Sequence, residues 1–302
     1  MECISPLLRR GRGATALRAP ILAGFVALSA LSACSSLVRA TADRDLAVEH
    51  VAGSELVVES RNGSIEVVVE PGRTEVQVDA VVQARAKTAA LAKDRVEEIE
   101  VHATRGEDGV LFIHPVFPEE ARGGEGCSMV VKVGEVAGVE IRTSNGKVVV
   151  SGASGAVVVR TSNGRVDVFG GDSADVTSSN GNVLVQEVRG AIDVETSNAG
   201  VELEGVASRA KVRTSNGRIR FAARSDYRSP FDLKTSNANV DVELSGLPSG
   251  RVEVQTSNGS ITAEGADEVE GSKRSKTVLF GEGAEQCKVK TSNGNVRLTR
   301  TS

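Results

Sequence analysis

Aromatic residues are scarce in this chain of 302 residues, which contains no Trp, one Tyr and seven Phe. Aromatic side chains normally dominate compact cores and ligand pockets. Their scarcity argues against a compact enzyme and suits a core built from thin columns of Val and Ile. Histidine is rare as well: His50, His102 and His114 lack the spacing of metal ligands, so we expect neither a metal site nor a cofactor.

An excess of positive charge is also missing, because 36 Lys and Arg against 40 Asp and Glu give a net charge of -4. We therefore do not expect nucleic acid as a partner. Catalytic signatures are absent from the sequence: no serine stands in Gly-x-Ser-x-Gly with a matching His and acid, and there is no phosphate loop. Aspartates do not cluster on neighbouring repeats beside a basic residue, as in the polysaccharide lyases of β-helix type. The sequence predicts a protein that is not an enzyme.

The tetrapeptide Thr-Ser-Asn-Gly is abundant, complete at five places and nearly complete at three more. Its Asn recurs at steps of 17 or 18 residues, then of 21 and 35, which indicates a repeat architecture. Apolar residues stand six and four positions before each Asn, and three and five positions after it. This alternation predicts half-buried strands on both sides of a turn. The repeated residues are Asn145, Asn163, Asn180, Asn198, Asn216, Asn237, Asn258 and Asn293.

Two all-β architectures fit this pattern. In an antiparallel meander or sandwich, Asn-Gly would be the turn of a hairpin. In a β-solenoid resembling a single-stranded β-helix, each repeat of about 17–21 residues is one coil with Thr-Ser-Asn-Gly at its corner. The sameness of the corner favours the solenoid, because stacked Asn amides bond to the Asn above and below. The Thr and the Asn share the parity of the inward apolar residues, so we expect both to face the core.

The first residues resemble a bacterial lipoprotein signal. A basic segment precedes an apolar run that ends in Leu31-Ser32-Ala33-Cys34, similar to a lipobox in which Cys34 becomes the lipidated first residue. We therefore expect a signal peptide over 1–33 and a tether over 34–50. The lipid would make the membrane a partner, and Ser35 in place of Asp implies the outer membrane, facing the periplasm or the surface.

The remaining chain, 51–302, is interpreted as one repeat domain. Its N-terminal part, 51–126, contains an early copy of the repeat and a helix at about 84–98, where Ala, Lys and Glu are frequent. Regular coils follow over 127–302, with an insertion at 265–285. Cys127 and Cys287 would then lie near opposite ends of the stack, too far apart for a disulfide.

Several of these features together resemble the family of bacterial β-strand-repeat envelope proteins called putative adhesins, a domain of unknown function. They are the Thr-Ser-Asn-Gly series, the Ala-rich helix before a strand pair, and the closing block from Ser275 to Gly294. The resemblance implies a repeat fold in the cell envelope and no settled activity.

Outward positions beside the corners carry basic pairs that could form an anion-binding edge for an acidic glycan or lipid head group. They are Arg142, Lys147, Arg160, Arg165, Arg213 and Arg218. The simpler interpretation is a solvated surface in which acidic and basic stripes offset each other.

The sequence favours a non-enzymatic, lipid-anchored envelope protein whose solenoid surface binds a glycan or another envelope protein, or serves as a scaffold. The alternatives are a carbohydrate-active β-helix enzyme and a sensing or regulatory partner of an envelope-stress system.

Overall fold

The computed structural model describes residues 27–28, 37–118, 124–245, 250–281 and 286–301. These residues form 26 strands and one short helix, arranged as two large sheets. The predicted signal peptide and Cys34 lie outside the described residues, apart from the two-residue strand Ala27–Leu28. The fold is the predicted β-solenoid: each coil contributes one strand to each sheet, and the corner joins the two strands.

The first sheet holds the strands that follow the corners. In spatial order it comprises β1 (Ala27–Leu28), β2 (Val38–Glu49), β5 (Glu75–Ala86), β8 (Gly126–Val133), β4 (Ile65–Val69), β10 (Val148–Ala153), β12 (Val166–Gly170), β14 (Val183–Gln186), β16 (Val201–Val206), β18 (Ile219–Ala223), β20 (Val240–Ser245), β26 (Val296–Thr301) and β22 (Ile261–Glu264).

The second sheet holds the strands that precede the corners. In spatial order it comprises β23 (Glu268–Gly271), β24 (Ser275–Phe280), β21 (Gly250–Gln255), β25 (Gln286–Lys290), β19 (Phe231–Lys234), β17 (Ala210–Arg213), β15 (Ile192–Glu195), β13 (Ser173–Thr177), β11 (Ala156–Arg160), β9 (Gly138–Arg142), β3 (Glu55–Glu59), β7 (Leu111–Val116) and β6 (Glu100–Arg105).

Strands of successive coils pair in parallel and in register, so equivalent residues stack along the axis. Val148 pairs with Val166, and Val166 pairs with Val183. The alternating Val and Ile side chains point between the two sheets and are almost completely buried. This pairing excludes the hairpin alternative, because the two strands beside each Asn belong to different sheets.

The N-terminal end of the stack is closed by antiparallel strands and the helix. Strand β2 pairs with β5 over its whole length, and β5 pairs with β8. The predicted tether over 34–50 is therefore wrong for 38–49, because the alternating side chains of β2 cover the end of the core. The helix α1 (Ala89–Glu97) is shorter than predicted, since Ala84 and Ala86 continue β5 and Thr88 caps the helix through a 3.3 Å bond from Leu91 N.

The coils do not stack in chain order at the C-terminal end. The last strands, β25 and β26, are inserted between the coil of β19 and β20 and the coil of β21 and β22. The predicted insertion at 265–285 contains β23 and β24, which extend the second sheet in antiparallel fashion. A coil from the end of the sequence thus lies inside the stack rather than at its end.

Candidate functional site

The predicted asparagine ladder is present and runs the length of the corner column. Each Asn donates its side-chain amide to the Oδ1 of the Asn in the preceding coil at 2.7–2.8 Å. A single reversed amide would oppose two NH₂ groups or two carbonyl oxygens, so all the amides share one direction. In spatial order the ladder is Asn62, Asn145, Asn163, Asn180, Asn198, Asn216, Asn237, Asn293 and Asn258.

Two expectations about this ladder were wrong. The asparagines beyond Asn62 are exposed rather than inward. Inward and outward side chains alternate along each strand, but the chain turns at the corner and the alternation does not continue through it. Asn62 was expected outside the regular run, but it is the first rung: it accepts from Asn145 and donates to the Glu125 carbonyl oxygen at 2.9 Å. Since a backbone carbonyl only accepts, this bond fixes the direction of the ladder.

The hydroxyl residue two positions before each Asn beyond Asn62 does face the core, as expected, and is buried. Its bonds differ along the stack. In what we call the C-terminal corners, at Asn216, Asn237, Asn293 and Asn258, the Thr hydroxyl donates to a carbonyl of the neighbouring coil at 2.9–3.2 Å. The hydroxyls of Thr143, Thr161, Ser178 and Thr196 have no partner among the described residues.

A polar groove opens on the outward face of the first sheet, with a volume of about 460 Å³. It exists because the column two positions after each Asn is interrupted. Arg165 and Arg218 stand at its two sides, while Gly200 between them has no side chain and Asn182 is short. The groove continues into a second cavity of about 280 Å³ that shares Arg218, Asp241 and Arg297 with the first.

Charges of both signs line the groove. Arg165 pairs with Asp167 and Arg218 with Asp241, each at 2.6 Å, while Arg220 lies 3.1 Å from Glu202 and 3.6 Å from Glu243. The hydrogen bond to Asp241 raises the pKa of the Arg218 guanidinium above its usual value. Among the described residues Arg297 has no ion-pair or hydrogen-bond partner, so its guanidinium is available to a ligand.

The six basic residues predicted as an anion-binding edge are divided by the corner between the two sheets. Each lies close to a carboxylate, which matches the simpler interpretation of offset stripes. Arg142 contacts Glu59 and Glu140, Arg160 contacts Asp175 and Arg213 contacts Asp232 on the second sheet. Lys147 and Arg165 share Asp167, and Arg218 contacts Asp241, on the first. Anion binding by these six stays a prediction.

The histidines lie away from the groove, in the N-terminal part. His102 and His114 face each other across β6 and β7 with ring centroids 6.0 Å apart. Burial, with a smaller contribution from His102, lowers the pKa of His114. No group of three or more His, Cys, Asp or Glu positioned to hold a metal ion occurs in the described part of the chain. Nor do these residues include a helix long and apolar enough to cross a bilayer.

Cys127 and Cys287 are not joined to each other: they lie in β8 and β25, near opposite ends of the stack as expected. Burial raises the pKa of the Cys127 thiol to about 12.

Comparison with known proteins gives one family and several solved structures, two of which are described here. The family described as Toastrack DUF4097 matches residues 38–299. No curated protein matches the chain. A putative adhesin from Bacteroides fragilis is 13% identical, with 86% of this chain and 97% of that one covered and a TM-score of 0.39. A putative cell adhesion protein from Clostridium sporogenes is 10% identical, with 86% and 100% covered and a TM-score of 0.29.

Proposed function

This chain belongs to the Toastrack DUF4097 family, and we propose that it is a non-enzymatic, lipid-anchored protein of the bacterial cell envelope whose solenoid surface binds an envelope component. The binding role is adhesin-like, with a glycan or another envelope protein as the ligand. The fold supports this proposal because a solenoid presents an extended, regular surface.

The observation that carries the proposal is the groove on the first sheet. It is open to solvent, lined by charged and amide side chains, and broad enough for a hydrophilic ligand. Arg297 offers a guanidinium without a partner, and Leu184 on the groove floor supplies an apolar contact. Such a lining suits a ligand rich in hydroxyl and charged groups.

Filling the groove tests the proposal. A Cβ added to Gly200 would meet nothing closer than 3.5 Å, so Gly200→Arg places a long side chain in the groove without straining the coil. Membranes carrying wild type, Gly200→Arg or the control Gly200→Ala would be cross-linked mildly and the protein captured. We expect one recurrent glycan or protein with wild type and Gly200→Ala, and its loss with Gly200→Arg. Equal capture of the ligand by wild type, Gly200→Ala and Gly200→Arg would show that the ligand does not bind in the groove.

Lipidation of Cys34 accounts for the anchoring. With β2 beginning at Val38, three residues would separate Cys34 from the fold, and the four Cα–Cα steps would span at most about 14 Å of extended chain. We expect Cys34→Ser to leave the membrane fraction or to stall in processing, whereas Ser36→Ala should behave as wild type. Normal processing and sedimentation of Cys34→Ser would contradict the anchor.

The absence of enzymatic activity is part of the proposal, since Glu202 and Glu243, two of the carboxylates that line the groove, are both paired with Arg220. Purified protein incubated with acidic and neutral polysaccharides should release no product. Reproducible release that is abolished by Glu202→Gln would instead support the carbohydrate-active alternative.

A further inference from the structure

The outward face of the second sheet carries three lysines that differ from most of the basic residues there. Arg142, Arg160, Lys211 and Arg213 each contact a carboxylate within 3 Å. Lys234, Lys288 and Lys290, like Arg251 of β21, are exposed and have no ion-pair or side-chain hydrogen-bond partner among the described residues. We call the three lysines the lysine patch.

The patch is created by the insertion of the last coil. Lys234 of β19 and Lys290 of β25 are direct partners in the parallel ladder, so their Cα atoms lie about 4.8 Å apart. In sequence order Gln255 would have stood between them, but β25 separates β19 from β21. Like charges directly opposite on a sheet repel each other, and here no carboxylate contacts either ammonium. Lys288 adds a third charge on the same face, although Asp232 and Glu253 are its partners in the ladder.

We propose that the lysine patch binds a linear acidic polysaccharide, with a carboxylate on its repeating sugar facing the stacked ammonium groups. The patch lies on a flat, open face, and its two directly stacked charges follow the axis of the solenoid. A flexible polymer that bears regularly spaced anions can lie along such a face and neutralise both charges.

Two other anionic partners fit less well. Single-stranded nucleic acid is held by stacking on aromatic side chains, and the outward positions of β17, β19, β25 and β21 carry none. An anionic bilayer would have to reach the far end of the stack. Nine strand spacings, or about 40 Å, separate the level of the patch from β2, where the chain enters the fold. This second argument rests on the proposed lipid anchor at Cys34.

The test uses the folded domain and polygalacturonic acid, in which each sugar carries a carboxylate. Binding would be measured at low and at moderate salt for wild type and for the double variant Lys234→Gln with Lys290→Gln. The control, Lys87→Gln with Lys93→Gln, changes the net charge equally at the opposite end, on exposed residues at and beside the helix. We expect the patch variant to bind about tenfold more weakly at low salt, and the control to match wild type.

Neutral dextran, vesicles containing phosphatidylglycerol and single-stranded DNA complete the experiment. Weak or no binding to these three is expected. No binding of wild type to polygalacturonic acid, equal weakening in both double variants, or tighter binding to vesicles or DNA would each overturn the proposal. Gly200→Arg, measured alongside, separates the two sites: it should not affect polygalacturonic acid binding, whereas it should abolish the capture described for the groove.

Discussion

The same tetrapeptide forms two different corners in this protein. At the N-terminal corners, which are those at Asn62, Asn145 and Asn163, the first two Gly N–H groups point along the stack: Gly63 donates to the Asn145 carbonyl oxygen at 2.8 Å and Gly146 to the Asn163 carbonyl oxygen at 2.9 Å. At the C-terminal corner of Asn216 the Gly N–H turns inward, and Gly217 donates to the Thr214 hydroxyl at 3.2 Å. That hydroxyl in turn donates to the Ala199 carbonyl oxygen. The peptide after Asn is thus oriented differently at these corners.

The backbone angle φ after Asn also differs along the stack. Gly146 and Gly164 have φ of 149° and 157°, whereas no positive φ occurs at Ala199, Ala238 or the glycines stacked on them. Ala strongly disfavours positive φ because its Cβ clashes with the backbone. A corner containing Ala therefore cannot adopt the positive φ found at Gly146 and Gly164. Repetition of a motif does not guarantee repetition of its hydrogen bonds.

The largest expected effect concerns the space between C-terminal corners. Gly217 lies between Ala199 and Ala238, and a Cβ on it would be 1.5 Å from the Ala199 carbonyl oxygen. We expect Gly217→Ala to lower the free energy of unfolding by about 3 kcal/mol, because the coils must separate. Gly200→Ala, which meets no atom within 3.4 Å, is the matched control and should change it by less than about 0.5 kcal/mol. Chemical denaturation measures both, and equal effects would show that corner spacing does not require glycine.

The next effect contrasts the hydroxyls of the two groups of corners. Thr235 is 1% exposed and donates to the Gly217 carbonyl oxygen at 3.0 Å, so Thr235→Val should cost about 1 kcal/mol. The Thr161 hydroxyl is buried without a partner among the described residues, so Thr161→Val should be neutral or stabilise by up to about 1 kcal/mol.

Chemical denaturation of Thr235→Val and Thr161→Val measures the difference, because both variants replace a hydroxyl by a methyl group. A loss of equal size in both would mean that the N-terminal hydroxyls are bonded as well, and the difference between the two groups of corners would not hold.

The smallest effect tests the asparagine ladder, whose rungs are mostly exposed. Asn216→Leu interrupts bonds to Asn198 and Asn237, but water can reach both partners, so we expect a loss of about 0.5–1 kcal/mol. Asn62→Leu should cost at least as much, because Asn62 is partly buried and anchors the ladder on Glu125. Denaturation of the two variants measures the order, and a clearly smaller loss for Asn62→Leu would contradict the anchoring role.

The repeat step and the alternation of Val and Ile were sufficient to predict the solenoid, its corners and its two faces. Parallel stacking places equivalent residues of successive coils over each other. Aligning the repeats in the sequence therefore gives the register of the strands directly. The basic residues beside the corners and their nearby carboxylates could be predicted from the outward positions of the aligned repeats. The groove was not predicted, although the same alignment places Gly200 and Asn182 in one outward column between Arg165 and Arg218, because its depth and its other walls depend on how side chains of several coils pack.

The sequence by itself determined which residues face the core in each strand, because the period of two is a local property of the backbone. Tertiary structure alone decided three further features. It placed the last coil between two earlier ones and so brought Lys234 beside Lys290. It turned the asparagines outward, since strand parity does not continue through a corner. It also set the peptide orientation after Asn at individual corners, because the N–H that follows Asn can donate either to the next coil or to the Thr hydroxyl of its own corner.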